Sequence, residues 1–200
     1  MNMKASKLVY NNYNYISVSG VAQIGVAYTI DKGKKYFGLE EWNNSETFRN
    51  IKLGYLDSFR SNNIEDVIDF ILLFSYNPND KQIYLIGCMK NVKQIKCNEI
   101  DEIRNQLAGQ NWLNSIQNEF QNINDNGLGF KKYKNCWNSN YIVEKTEESF
   151  IVNVRYVESI ILEEQINLTE IFPNINNLKR LSVLYNLPIE IQEFVLKYCQ

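Results

Sequence analysis

Residues 69–92 read DFILLFSYN-PNDKQ-IYLIGCMKNV, with two apolar runs on either side of a short polar segment. Each apolar run has the length of a strand and is rich in β-branched and aromatic residues. Pro78, Asn79 and Asp80 favour a turn, because proline fixes φ and the Asn and Asp side chains bond nearby backbone. The segment therefore predicts a central β-hairpin. Both runs are continuous rather than alternating, which indicates that both faces of the hairpin are covered.

The bulk composition indicates one globular domain. The chain has 200 residues, of which 44% are hydrophobic, so it is long enough to bury one sizeable core. We expect a single domain over residues 1–200, with a helical insertion at about 97–130. The net charge of −2 excludes a strongly basic nucleic-acid binder as a whole. No apolar run reaches the length of a membrane span, and we expect a cytoplasmic protein.

The residue types needed for common catalytic and metal sites are missing. The chain has no histidine, and none of its four cysteines forms a Cys-x-x-Cys pair. A Cys/His zinc site and a Ser-His-Asp triad are therefore not indicated. No Gly-rich phosphate loop is present either. We expect a protein without catalytic residues, metal or cofactor, and we interpret Cys88 as a small core residue.

The rest of the chain mixes strand and helix patterns, which predicts an α+β fold. Strands are expected within residues 15–30 and 36–39, and a second hairpin is expected from residues 141–143 and 150–157, with residues 160–162 extending the sheet. Helices are expected within residues 45–60, at residues 167–172 and after residue 187. The last helix would bury a stripe of Ile191, Phe194, Val195 and Tyr198. Pro188 stands near its first turn, a position that proline favours.

Three groups of segments follow one another in an order shared with a known family. The first is residues 72–77 with 85–89, the second is 150–157, which contains Val154-Arg155-Tyr156, and the third is 166–171 with 178–183 and 187–188. In this order they resemble the PUA-like superfamily, especially its YTH and EVE branches. The resemblance spans about residues 36–198. It implies a bent β-sheet or open β-barrel flanked by helices, with a pocket that takes a modified base between aromatic side chains.

Two tryptophans in polar loops stand where the resemblance puts the aromatic side chains of this pocket. Trp42 lies in the segment EEWNNS, and Trp137 lies in a Lys/Asn-rich loop before the second hairpin. Both are candidates for an aromatic cage around the base. The alternative is that each packs as a lid on the core. Trp112 stands on a helical stripe and fits the core better.

Ser75, Tyr76 and Asn77 end the first strand of the central hairpin. A strand end beside the pocket would present a hydroxyl or an amide to the Watson–Crick edge of a base. The alternative is ordinary turn chemistry before Pro78.

Basic residues near the aromatic loop are candidates for contacts with the nucleic-acid backbone. Lys131, Lys132 and Lys134 are interleaved with Tyr133 and precede Trp137, a pattern that suits phosphates and unstacked bases. The alternative is a solvated face. Arg155 and Arg180 match arginine positions of the family, but either would also serve as a structural ion pair. Lys90, Lys93 and Lys96 would join the patch if the strands are adjacent.

These observations favour a non-enzymatic module that binds DNA or RNA carrying a modified, most simply methylated, base. Such a module would supply specificity to a modification-dependent restriction or defence system, with a nuclease or NTPase on another domain or subunit. No membrane partner is expected. The alternative is a protein–protein interaction domain, which the net charge favours, and a third reading is a small enzyme of unfamiliar type.

Overall fold

The computed structural model describes residues 1–8, 23–24, 35–36, 52–59, 64–77, 79–99, 102–103, 152–175, 178 and 183–199. Seven strands in these ranges form one sheet: β1 (Met3–Leu8), β4 (Leu53–Gly54), β5 (Ile68–Asn77), β6 (Gln82–Gln94), β7 (Val154–Arg155), β8 (Glu158–Asn167) and β9 (Leu184–Tyr185). A separate pair, β2 (Gln23–Ile24) and β3 (Lys35–Tyr36), is antiparallel. The helices are α1 (Leu168–Ile171) and α2 (Ile189–Leu196).

The predicted central hairpin is confirmed. Strands β5 and β6 pair antiparallel from Ile68 opposite Val92 to Asn77 opposite Gln82. Their register shifts once, because Leu73 pairs with Gly87 while Phe74 pairs with Leu85. One residue of β6 is thus extra at this point, which makes a β-bulge and increases the local twist.

Both faces of the hairpin are buried, as the continuous apolar runs predict. One face carries Leu72, Leu85 and Cys88 into a core cluster that we call the helix-side core, because residues of α1 and α2 complete it. The other face carries Ile71 and Met89 into a second cluster, which we call the opposite core. The opposite core is completed by other buried apolar residues, including Leu8, Leu56, Phe59, Val154 and Tyr156.

The sheet continues from β5 through β1, a strand that the sequence did not predict. Strand β1 runs parallel to β5, with Met3 opposite Phe70 and Leu8 opposite Ser75. Its pattern MKASKL mixes lysines with small residues, so its hydrophobicity is low for a strand between two neighbours. Strand β9 pairs antiparallel with its other edge. A parallel neighbour needs a long connection, which leaves no local signal in the sequence.

The other edge of β6 is shared by two strands. Strand β8 pairs with the first part of β6, which confirms that residues 160–162 extend the sheet. Strand β7 pairs with Lys93 and Gln94 at the end of β6. Strand β7 pairs in turn with β4. The helix predicted within 45–60 is therefore wrong for residues 53–59, which contain β4 and the 3₁₀ turn Asp57–Phe59. Gly54 disfavours helix, and pairing with β7 decides the outcome.

Both late helices are confirmed. Helix α1 follows Asn167, whose side chain caps it by accepting hydrogen bonds from the backbone N–H groups of Thr169 and Glu170. Helix α2 follows Pro188 and buries Ile191 and Val195 against the helix-side core. Tyr198 of the predicted stripe lies beyond α2 and is exposed.

The described residues form a mixed, strand-dominated fold, so the α+β prediction is confirmed at this level. Within them the sheet is open, with β4 and β9 at the ends of its main path. Most of the predicted insertion at 97–130 lies outside the described residues, and the predicted strand at 141–143 lies entirely outside them. Glu102 and Ile103, which lie within the predicted helical insertion, are helical.

Replacing Gly87 should destabilise the fold, because a Cβ at this position would collide with the carbonyl oxygen of Ile160 and lie 3.0 Å from the Ile161 Cα. We expect Gly87→Ala to lower the free energy of unfolding by about 2–4 kcal/mol in urea denaturation. Glu164→Ala, on an exposed part of β8, is the matched control and should change it by less than about 0.5 kcal/mol. An unchanged urea midpoint for Gly87→Ala would contradict this close approach of β8.

Candidate functional site

The end of β5 contains the predicted base-contacting residues, and Asn77 is occupied by the turn that follows. Its side-chain Oδ1 accepts a hydrogen bond from the Asn79 backbone N–H at 3.0 Å, and its Nδ2 donates to Asp80 Oδ2 at 2.8 Å. Asp80 also accepts from the hydroxyl of Tyr84 at 2.7 Å. These contacts match the alternative of ordinary turn chemistry for Asn77.

Tyr76 and Ser75 point to opposite faces of the sheet, since side chains alternate along a strand. Tyr76 is half-buried against the helix-side core, and the Lys7 ammonium lies 5.5 Å from its ring centroid. Ser75 is fully buried. Its hydroxyl has no hydrogen-bond partner among the described residues. A buried hydroxyl without a partner costs about 1–3 kcal/mol, so this group calls for an explanation.

Arg155 lies on β7 and forms an ion pair. Its Nη2 lies 2.9 Å from Glu99 Oε1, and Glu99 Oε2 accepts a hydrogen bond from the Lys96 backbone N–H at 2.8 Å. The Arg155 Nε atom is buried and has no partner in the described part of the chain. The geometry thus agrees with the structural ion pair that the sequence left as the alternative. A phosphate at Arg155 would have to displace the Glu99 carboxylate.

Lys90, Lys93 and Lys96, on β6 and just after it, do not form a patch of three lysines that are all available to phosphates. Lys90 Nζ lies 2.9 Å from Glu158 Oε2, and this hydrogen bond raises the pKa of Lys90 because it stabilises the charged form. Lys96 Nζ donates to the Ile64 carbonyl oxygen at 3.0 Å. Of the three lysines proposed to extend the basic patch, two therefore already have partners.

Asn153 joins three segments and was missed by the sequence analysis. Its side chain accepts a hydrogen bond from the Leu56 backbone N–H at 2.9 Å and donates to the Leu56 carbonyl oxygen at 2.8 Å. Its backbone N–H donates to Gly54, and its carbonyl accepts from Ile95. No local pattern marks this role, since it depends on residues almost a hundred positions away. Asn153 fixes the segment that covers the opposite core.

Six of the predicted site residues belong to the part of the chain that the structure does not describe. Trp42, Trp137, Lys131, Lys132, Lys134 and Arg180 all lie outside the described residues. The aromatic cage and the basic patch thus stay predictions.

The described residues contain no cluster of three or more Cys, Asp or Glu side chains that would hold a metal ion. None of the helices in the described ranges is long and apolar enough to cross a membrane.

Comparison with known proteins found no matching family model, no matching curated protein and no matching solved structure.

Removing the Ser75 hydroxyl should not harm the fold. We expect Ser75→Ala to keep or raise the free energy of unfolding, by at most about 1 kcal/mol, because it deletes a buried polar group that has no described partner. The contrasting variant is Ser6→Ala, because Ser6 Oγ lies 2.7 Å from Ser58 Oγ in a buried hydrogen bond. That variant should lose about 1 kcal/mol in the same urea titration. A comparable loss for Ser75→Ala would reveal a native partner for its hydroxyl.

Proposed function

We propose that this chain is a non-enzymatic, cytoplasmic PUA-like module that binds nucleic acid and recognises a modified, most simply methylated, base. In this proposal the base enters a pocket that Trp42 and Trp137 border, with Ser75 at the end of the central strand. The module would supply specificity to a modification-dependent restriction or defence system. A nuclease or NTPase on another domain or subunit would then act on the bound DNA or RNA.

The observation that carries the proposal is the Ser75 hydroxyl. It is buried at a strand end and has no described partner, and a ligand that hydrogen-bonds to it would remove the cost of that arrangement. The edge of a base offers both donors and acceptors at suitable spacing. Tyr76 and Asn77 contribute less directly, because Lys7 and the turn already engage them.

Aromatic stacking and apolar contact would provide the affinity for the modified base. Stacking on an aromatic side chain contributes about 1–3 kcal/mol per base. A methyl group that enters an apolar pocket adds roughly 0.8 kcal/mol, which corresponds to about a fourfold preference over the unmodified base. Lys131, Lys132, Lys134 and Arg180 would contact phosphates, whereas Arg155 would do so only by exchanging its Glu99 partner.

An oligonucleotide titration tests the proposal. Single- and double-stranded oligonucleotides that are unmodified or carry N6-methyladenine or 5-methylcytosine would be added at one fixed moderate salt concentration, with tryptophan fluorescence as the readout. We expect saturable quenching that prefers one modified oligonucleotide. A folded protein that responds to none of them would contradict base recognition.

Variants of the two loop tryptophans test the aromatic cage. Trp42→Ala and Trp137→Ala should each weaken binding of the preferred oligonucleotide by about 5- to 150-fold, because a stacking contact is lost. Their urea midpoints should stay close to that of the unmodified chain. Trp112→Phe is the matched control and should leave binding unchanged. Global unfolding of both alanine variants would instead show that the two tryptophans belong to the core.

A protein–protein interaction domain is the second candidate, and one surface feature favours it. Ile171, Ile189 and Tyr198 are large apolar residues on or beside α1 and α2, and all are exposed. The net charge of −2 also suits a protein partner better than an extended duplex. In this case the chain would bind no oligonucleotide, and Ser75→Ala would have no effect on partner binding.

A further inference from the structure

Three aromatic side chains form a continuous ridge where the end of α1 meets α2. The Phe172 and Phe194 rings lie edge to face with 5.4 Å between their centroids, and the Phe194 and Tyr198 centroids are 5.3 Å apart. Phe172 and Phe194 pack partly against the helix-side core, whereas Tyr198 is 42% exposed. We call these three residues the aromatic ridge. Ile171 precedes Phe172, is 43% exposed and extends the apolar surface of the ridge.

The exposed part of this surface is not needed to hold α2 in place. Ile191 and Val195 are buried in the helix-side core and already attach α2 to the sheet. A large apolar side chain in water forgoes part of the about 1.5–3 kcal/mol that full burial provides. Single exposed apolar residues are common, but Ile171 and Tyr198 adjoin one aromatic stack, and contiguous apolar surface marks interaction sites.

The helices beside the aromatic ridge carry acidic charge. Glu170, Glu190 and Glu193 are exposed on α1 and α2, and Lys197 is the only basic residue that the structure describes after β8. Glu190 stands four residues before Phe194, so the two side chains are neighbours on one face of α2. An apolar surface with an acidic border repels phosphates and attracts cationic side chains.

We propose that the aromatic ridge is a docking surface for a second protein, whose docked segment carries arginine side chains next to an apolar one. Arginine fits both features of the surface, because its guanidinium group stacks on aromatic rings and forms paired hydrogen bonds with carboxylates. The apolar side chain would cover Ile171 and Tyr198. This inference goes beyond base recognition, does not depend on it, and names the chemistry of the partner.

The aromatic ridge and Ser75 belong to opposite faces of the sheet. Both helices pack on the helix-side core, and so do Phe74 and Tyr76, the two neighbours of Ser75 in β5. Because side chains alternate along a strand, Ser75 points towards the opposite core. A protein on the ridge therefore does not cover the face of Ser75. A specificity module that works with a separate nuclease or NTPase subunit needs two such separate faces.

A peptide titration of the full chain tests the proposal. The probe is a fluorescein-labelled octapeptide in which arginine and leucine alternate, and the readout is fluorescence anisotropy at one low salt concentration. We expect saturable binding of this peptide and no binding of its counterpart with glutamate in place of arginine. Tyr198→Ala should weaken binding by about 2- to 30-fold, because a cation–π contact is lost. Tyr198→Phe keeps the ring and should bind as the unmodified chain does.

A matched pair of charge variants shows whether binding occurs at the ridge. Glu190→Gln should weaken binding by about two- to fivefold, because one ion pair at the rim is lost. Glu65→Gln removes the same charge elsewhere, since Glu65 is exposed and follows Ile64, which packs against the opposite core. That variant should leave binding unchanged, because solvent and salt screen distant charges.

Three results would overturn the proposal: no saturable binding, equal effects of Glu190→Gln and Glu65→Gln, or full binding by Tyr198→Ala. A dimer in light scattering that Tyr198→Ala dissociates would also overturn it, because a second copy of the chain would then cover the ridge. These titrations contain no oligonucleotide. Failure here is therefore distinct from failure of the proposed function.

Discussion

The antiparallel pairing of β5 with β6 is the interaction on which the other described elements depend. Both strands are apolar on both faces, so the hairpin is stable only when each face is covered. The late helices cover one face, and the segment around Leu56 covers the other. That second cover is fixed by Asn153, which makes two hydrogen bonds to the Leu56 backbone. The hairpin thus requires contributions from widely separated parts of the chain.

A second constraint is the space that Gly87 leaves open. Strand β8 approaches β6 so closely there that a side chain would meet the Ile160 carbonyl. The register between these strands also shifts, because Leu85 pairs with Ile166 whereas Gly87 pairs with Ile161. Strand β8 therefore has excess residues at the same level as the bulge in the hairpin, and such irregularities bend the strand that carries them. Strands β7 and β8 can then share one edge of the long β6.

The sequence predicted what local patterns encode. The hairpin, the extension at 160–162 and both late helices carry their own signals in apolar runs, turn residues and caps. Strand β1 and the pairing of β4 with β7 carry none, because they form only through distant neighbours. For the site, turn chemistry at Asn77 and the ion pair of Arg155 were foreseen as alternatives, but their partners were not. The burial of the Ser75 hydroxyl without a partner among the described residues is a tertiary fact that no spacing in the sequence indicates.

Native-state hydrogen exchange would test the central place of the hairpin most directly. If the fold is organised around β5 and β6, the backbone amides of Leu72 and Cys88 exchange last, through global unfolding, and those of α2 exchange earlier, through local opening. Amides of α2 that outlast those of β5 and β6 would contradict this account. The organising element would then be the helical cover rather than the hairpin.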